Sequence, residues 1–122
     1  MRWYFLICTI VLLLCSISIR AQQADLVSKW LTPEKDTIEF FQTGKTLTGK
    51  QISSLNYPQN NNKIIAWELV AKTSRIFEGT VIDFRKNKTY KCQFIIDKDG
   101  TELEMKVQWF FLTFTENWTR VE

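Results

Sequence analysis

Thr101-Glu102-Leu103-Glu104-Met105-Lys106-Val107-Gln108-Trp109 alternates apolar and polar residues with a strict period of two. Successive side chains of a strand point to opposite faces, so this spacing predicts a strand. Leu103, Met105, Val107 and Trp109 would turn to a core, and Glu102, Glu104, Lys106 and Gln108 to water. One solvated face is the habit of antiparallel sheets. Asp97-Lys98-Asp99-Gly100, immediately before, reads as a hairpin loop in which glycine supplies the positive φ such turns need, and it pairs the strand with residues 88–96.

Working outward from that hairpin, similar apolar and β-branched runs occur at 26–31, 37–43, 46–55, 63–72, 75–84 and 112–121, for a total of eight strands. Helical spacing is not sustained anywhere after residue 21. Short turn signals at 33–36, 43–45, 73–74 and 85–87 imply that chain neighbours run antiparallel. The longest polar break, residues 56–63, is the candidate for a mobile loop. Eight consecutive antiparallel strands in so short a chain must hide their edges, and closure does this most completely. The expected fold is all-β, a single small up-and-down barrel, with a two-sheet sandwich as the alternative.

Residues 1–21 read as an export signal. Arg2 gives the positive start, residues 5–15 are apolar except for Thr9, and Ala21 offers a small residue before Gln22. The apolar run is shorter than the ~20 residues that span a bilayer, which weighs against a transmembrane anchor. Leu14 before Cys15 is too bulky for a lipoprotein signal. The expected mature chain is therefore residues 22–122, one domain, periplasmic or secreted, with no membrane span once the signal is removed. The whole chain has 16 Lys and Arg against 13 Asp and Glu; losing Arg2 and Arg20 reduces the net charge from +3 to +1. No basic patch remains to argue for nucleic acid.

Cys8 and Cys15 leave with the signal, so Cys92 is alone and no intrachain disulfide is expected. It alternates with Tyr90, Phe94 and Ile96, which makes it a small buried residue rather than a reactive thiol. The chain has no histidine, which removes Ser-His and Cys-His nucleophiles and His-ligated zinc. Glu102 and Glu104, about 7 Å apart on one strand face, have a spacing that glycosidases use. Their face also carries Lys106 and Gln108, the pattern of a solvated sheet surface. No enzymatic activity and no cofactor are expected.

Phe77-Glu78-Gly79-Thr80-Val81-Ile82-Asp83, Asn87-Lys88-Thr89-Tyr90-Lys91-Cys92 and Asn117-Trp118-Thr119-Arg120-Val121 resemble the exported bacterial family called domain of unknown function 2147. Trp30 and Gly49-Lys50 answer to earlier positions of its pattern, so the similarity spans the mature chain. Departures are Phe84 for a proline, Asn87 for a glycine, and Gln51 where an apolar residue is usual, which predicts a one-residue bulge after Gly49. The resemblance implies a small calycin-like barrel and no assigned activity. It also implies that Trp30 packs under Arg120, with Trp118 on the same face, to close the barrel where first and last strands meet.

Two functions remain open. The barrel could bind a small apolar ligand, with Trp67, Phe77, Tyr90, Phe94 and Trp109 on inward faces as candidate ligand-binding residues. The same aromatics could instead fill the interior, which the shortness of the chain favours. Alternatively the protein is an interaction module of the bacterial envelope, its partner an envelope protein that meets an exposed patch in Trp109-Phe110-Phe111-Leu112-Thr113-Phe114. Phe110 cannot share the interior with Trp109 and Phe111 unless a hairpin or bulge intervenes.

Overall fold

The structure is a computed structural model that describes residues 26–121. The export-signal reading of residues 1–21 and the start at Gln22 lie outside the described residues. Eight strands follow one another: β1 (Lys29–Leu31), β2 (Thr37–Thr43), β3 (Thr46–Ser53), β4 (Ile64–Ala71), β5 (Ile76–Asp83), β6 (Lys88–Ile96), β7 (Glu102–Trp109) and β8 (Leu112–Arg120). Each pairs antiparallel with its chain neighbour, and β8 returns to β1 through Trp30–Arg120 and Leu31–Thr119, so the sheet is a closed barrel and not a sandwich. A short 3-10 turn at Pro58–Asn60 interrupts the longest loop.

Up-and-down order puts alternate connections at opposite ends. The loops after β1, β3, β5 and β7 crowd one end. Those after β2, β4 and β6, with Leu26 and the end of β8, make the other. This second end is filled: Leu26, Trp30, Phe40, Leu69, Phe77, Phe94 and Leu103 are almost wholly buried there and in the barrel's middle. Phe94 meets Phe40 edge-on at 5.2 Å between ring centroids, and Trp118 stacks on Phe40 at 6.2 Å. Offset and edge-to-face arrangements of this kind suit the ring quadrupoles.

Two irregularities set which residues face inward. In β4 the register against β5 shifts between Trp67 and Val70, where Glu68 takes φ 55°. The bulge lets both Ala66 and Leu69 point into the core. It corrects the expected inward position of Trp67, which is half-buried and pairs with Thr80 between the core positions Gly79 and Val81. Isoleucine, alanine and tryptophan run consecutively there, so the pattern alone left the parity open. In β3, Ser53 pairs with Thr37 but Gln51 with Ile38, leaving Ile52 as the extra residue. The bulge expected beyond Gly49 is thus present, and Gln51 stays inward, 4% exposed.

Leu103 and Val107 of β7 are buried, whereas Glu102 is exposed and Glu104 pairs on the outer face with Lys106 at 3.4 Å. The candidate carboxylate pair therefore lies outside the barrel. Cys92 faces Gly79 across β5–β6, is 5% exposed, and has its thiol pushed up to about 12 by burial. Since the thiolate is the nucleophile, iodoacetamide at mildly alkaline pH should label the native protein slowly and the urea-unfolded chain fast. Rapid labelling of the folded state would contradict this placement.

Candidate functional site

Packing stops short of the loop-rich end. Above Trp118 the interior opens into a cavity of about 410 Å³. Its floor is Trp118, braced from beneath by Phe40 and by Phe94 at 5.3 Å. Ile38, Ile65, Val81, Met105 and Val107 form apolar walls, and Tyr90, Trp109, Phe84 and Phe114 ring the mouth. The interior is thus neither wholly filled nor wholly hollow: one half is core and the other is a cleft.

The five aromatics expected to line a ligand site separate by height. Tyr90 and Trp109 line the cavity. Phe77 and Phe94 face inward and pair with each other across β5–β6, but they belong to the filled half. Trp67 is on the outer face. A period of two fixes the face of a residue and says nothing about its depth along the barrel axis. The three closure residues also divide. Trp30 and Arg120 sit opposite one another across β1–β8, the guanidinium carbon 4.5 Å from the indole centroid. Trp118 shares their inward face but, one pleat further from the closed end, forms the cavity floor instead of the seal.

Three mouth loops are tied together. Gln51 donates from Nε2 to the Tyr57 carbonyl and to Asn61 Oδ1, both at 3.0 Å, so its inward amide holds the 54–63 loop in place. Tyr57 and Asn61 lie in the polar break 56–63 expected as a mobile loop, and they supply both acceptors of that amide. Ser54 Oγ donates to Asp36 Oδ1 and accepts from the Tyr57 backbone N–H at 2.9 Å, which joins it to the β1–β2 loop. Arg85 reaches Glu34 and Asp83 at 3.9 Å and lies over the Tyr57 ring at 6.0 Å. Among the described residues no hydrogen bond or ion pair of a side chain ties the β7–β8 turn to these three.

Sequence reasoning marked Gln51 only as a departure that bulges its strand, not as a site residue, and did not mark Glu116. The signal for Glu116 was its place in Phe114-x-Glu116-x-Trp118, an acid on an inward parity. Its Oε1 accepts from Trp118 Nε1 at 2.7 Å. Burial raises its carboxyl above the usual range, and Glu34 and Asp36 across the mouth add to this. Ionisation therefore costs more in the folded than in the unfolded chain, so the stability held by neutral Glu116 is lost as pH rises through its folded pKa. Glu116→Gln keeps the acceptor for Trp118 and removes the charge. It should raise the urea midpoint near pH 7 and leave it unchanged below about pH 4, where both states bind the proton. Equal effects at both pH values would count against a desolvated carboxylate. No three acidic or cysteine side chains among the described residues converge to hold a metal ion.

The barrel resembles a solved structure described as protein HP1028 from the human pathogen Helicobacter pylori, which belongs to the lipocalin family. The TM-score is 0.67 at 19% identity, covering 80% of this chain and 83% of that one, a likeness of fold. No curated protein matches the chain in sequence. A family model described as an uncharacterized protein conserved in bacteria matches residues 28–120, from just before Trp30 to Arg120. With both closing residues inside that match, the chain belongs to the bacterial family domain of unknown function 2147 and folds as a lipocalin-like barrel.

Proposed function

We propose that this protein is a non-enzymatic binding module that holds a small apolar ligand in the mouth of an exported, periplasmic or secreted barrel. The observation that carries the reading is the cavity of about 410 Å³ on a tryptophan floor. Ligand pockets run from about 300 to 1,000 Å³ and are mostly apolar with a few placed polar groups. Here Thr32, Gln51 and Glu116 are among those groups, and the lining also includes the charged Glu34, Asp36, Asp83, Arg85, Lys86 and Lys88. A lipocalin-like barrel closed at one end and open at the other is a fitting container for such a ligand.

The test uses protein recovered from the periplasmic fraction, whose intact mass starts at Gln22 if residues 1–21 are an export signal. N-phenyl-1-naphthylamine, a neutral apolar fluorophore, should brighten on binding. Met105→Trp places an indole ring in the void and should weaken probe binding about tenfold or more while far-ultraviolet circular dichroism stays unchanged. No probe binding by the parent, or equal binding by a folded Met105→Trp variant, would refute the reading.

A further inference from the structure

The β7–β8 hairpin leaves the barrel at its tip. The β6–β7 ladder ends at Cys92 and Val107, short of residues 88–91 on β6 and of Gln108 and Trp109 on β7. On its other edge β8 meets β1 only at Thr119 and Arg120, so residues 112–118 have no strand partner on that side among the described residues. What projects is a two-stranded ribbon, an arrangement that is marginal in water by itself.

Its tip is apolar. Phe110 is 79% and Phe111 92% exposed, and Trp109, Leu112 and Phe114 are exposed around them. No bulge buries them, as the alternative reading of this stretch allowed. Phe110 and Phe111 form a two-residue turn between the paired Trp109 and Leu112. Such turns favour glycine, asparagine or aspartate because a central residue takes positive φ. Phe110 occupies that position at φ 54°, an uncommon conformation for a bulky side chain. The turn thus combines backbone strain with exposed aromatic surface, two costs in water that a purely structural hairpin has no reason to carry.

The residues beside the ribbon say what covers it. In the gap between β6 and the ribbon is a groove lined by Lys88, Lys91, Trp109 and Phe110. Lys86, Lys88 and Lys91 are exposed and make no ion pair among the described residues. The nearby acids Glu34 and Asp83 are engaged by Arg85. A convex aromatic tip flanked by free lysines differs from the core of a protein interface, which is depleted of lysine. It fits a membrane surface, where aromatics enter the headgroup and acyl boundary and lysines meet anionic phosphates.

We propose that the β7–β8 turn docks the open end of the barrel on an anionic lipid bilayer, with Phe110 and Phe111 inserted and Lys86, Lys88 and Lys91 on the lipid phosphates. The proposed contact is peripheral, made by the turn and the lysines beside it. Docking does not depend on the cavity holding a ligand. If it does hold one, Tyr90 and Trp109, which line both cavity and groove, mark the passage between bilayer and interior.

The experiment is co-sedimentation of the purified protein with vesicles of phosphatidylcholine alone or mixed with phosphatidylglycerol. Binding should need phosphatidylglycerol and fall with salt. Phe110→Ser with Phe111→Ser should weaken it about tenfold or more, and so should Lys86→Glu, Lys88→Glu and Lys91→Glu together. All variants share the N-terminus of the parent, so residues 1–25 cannot produce the difference. The serine variant should still bind N-phenyl-1-naphthylamine in solution, and Met105→Trp should still bind vesicles, which separates failure of docking from failure of the cavity reading. The proposal is overturned if the parent ignores phosphatidylglycerol vesicles, if the serine variant binds them as well as the parent, or if the parent is a dimer that those serines convert to monomer.

Discussion

Trp30→Ala is expected to cost about 3 to 5 kcal/mol, a large share of the usual stability of about 5 to 15 and enough to bring a chain at the low end of that range to the edge of unfolding. The indole is fully buried at the closed end, its Nε1 donating to the Leu26 carbonyl at 3.1 Å. Truncation opens a void and leaves that carbonyl without its donor. The same ring is the surface on which Arg120 rests, 4.5 Å from its centroid, while Arg120 Nε donates to the Gly100 carbonyl and its backbone N–H to Thr101 at 2.9 Å. Three segments, the first strand, the last strand and the β6–β7 loop, therefore meet on one cation–π contact. Such a contact is worth about 1 to 2 kcal/mol when partly desolvated. Arg120→Lys keeps the charge but loses the flat stacking face and the Nε donor, so its effect should be milder yet measurable. The two changes together should cost less than their sum, because either one removes the shared contact. Urea unfolding of the parent, both single variants and the double variant closes the cycle. Additive costs would mean that Trp30 and Arg120 seal the barrel independently.

The closed end was legible because it is built from strong one-sided patterns. Leu103-x-Met105-x-Val107 can form only one kind of strand, and eight strand-like runs in so short a chain leave closure as the economical way to hide their edges. The seam at Trp30 and Arg120 was implied by the family resemblance, and the pairing of β1 with β8 bears it out. The cavity was not legible in the same way. Tyr90 and Phe94 have the same parity on one strand, but Tyr90 lines the cavity while Phe94 lies in the core beneath it. Their depth depends on the register of neighbouring strands. Gln51 and Glu116 appeared as polar interruptions at inward positions, and such residues point to a site only once the loop they anchor, or the indole they accept from, is known. In Ile64-Ile65-Ala66-Trp67 every residue is apolar, so the sequence held no signal of where the bulge at Glu68 would change the inward face.

Gly79→Ala should be the most damaging of the small substitutions, because that same bulge fills the space a side chain would need. Gly79 faces inward opposite Cys92, beneath the segment of β4 where Trp67 and Glu68 leave the regular ladder. A Cβ there would lie 2.6 Å from Leu69 Cδ2, 2.7 Å from the Trp67 carbonyl oxygen and 3.0 Å from that of Glu68. Leu69 could move, at the expense of a fully buried position. The carbonyls belong to a backbone held between β3 and β5 and can yield only if the bulge itself shifts, which would return Trp67 toward the interior. Gly49→Ala is the useful comparison. Its Cβ would have as nearest neighbours the Phe40 ring at 2.8 Å and the Ala66 methyl at 3.5 Å, so the neighbour that must give is a side chain. Overpacking of a well-filled core costs about 1 to 3 kcal/mol, and relieving glycine's entropy in a strand returns only about 0.5 to 1. Gly79→Ala should fall at or above the top of that range and Gly49→Ala near its lower end, both read as urea midpoints at unchanged m-value. Gly79 then has a physical reason: it gives the β4 bulge room, and the bulge puts both Ala66 and Leu69 into the core. A Gly79→Ala variant as stable as the parent would mean that β4 can rearrange freely, and the inward face assigned to Leu69 would have to be abandoned.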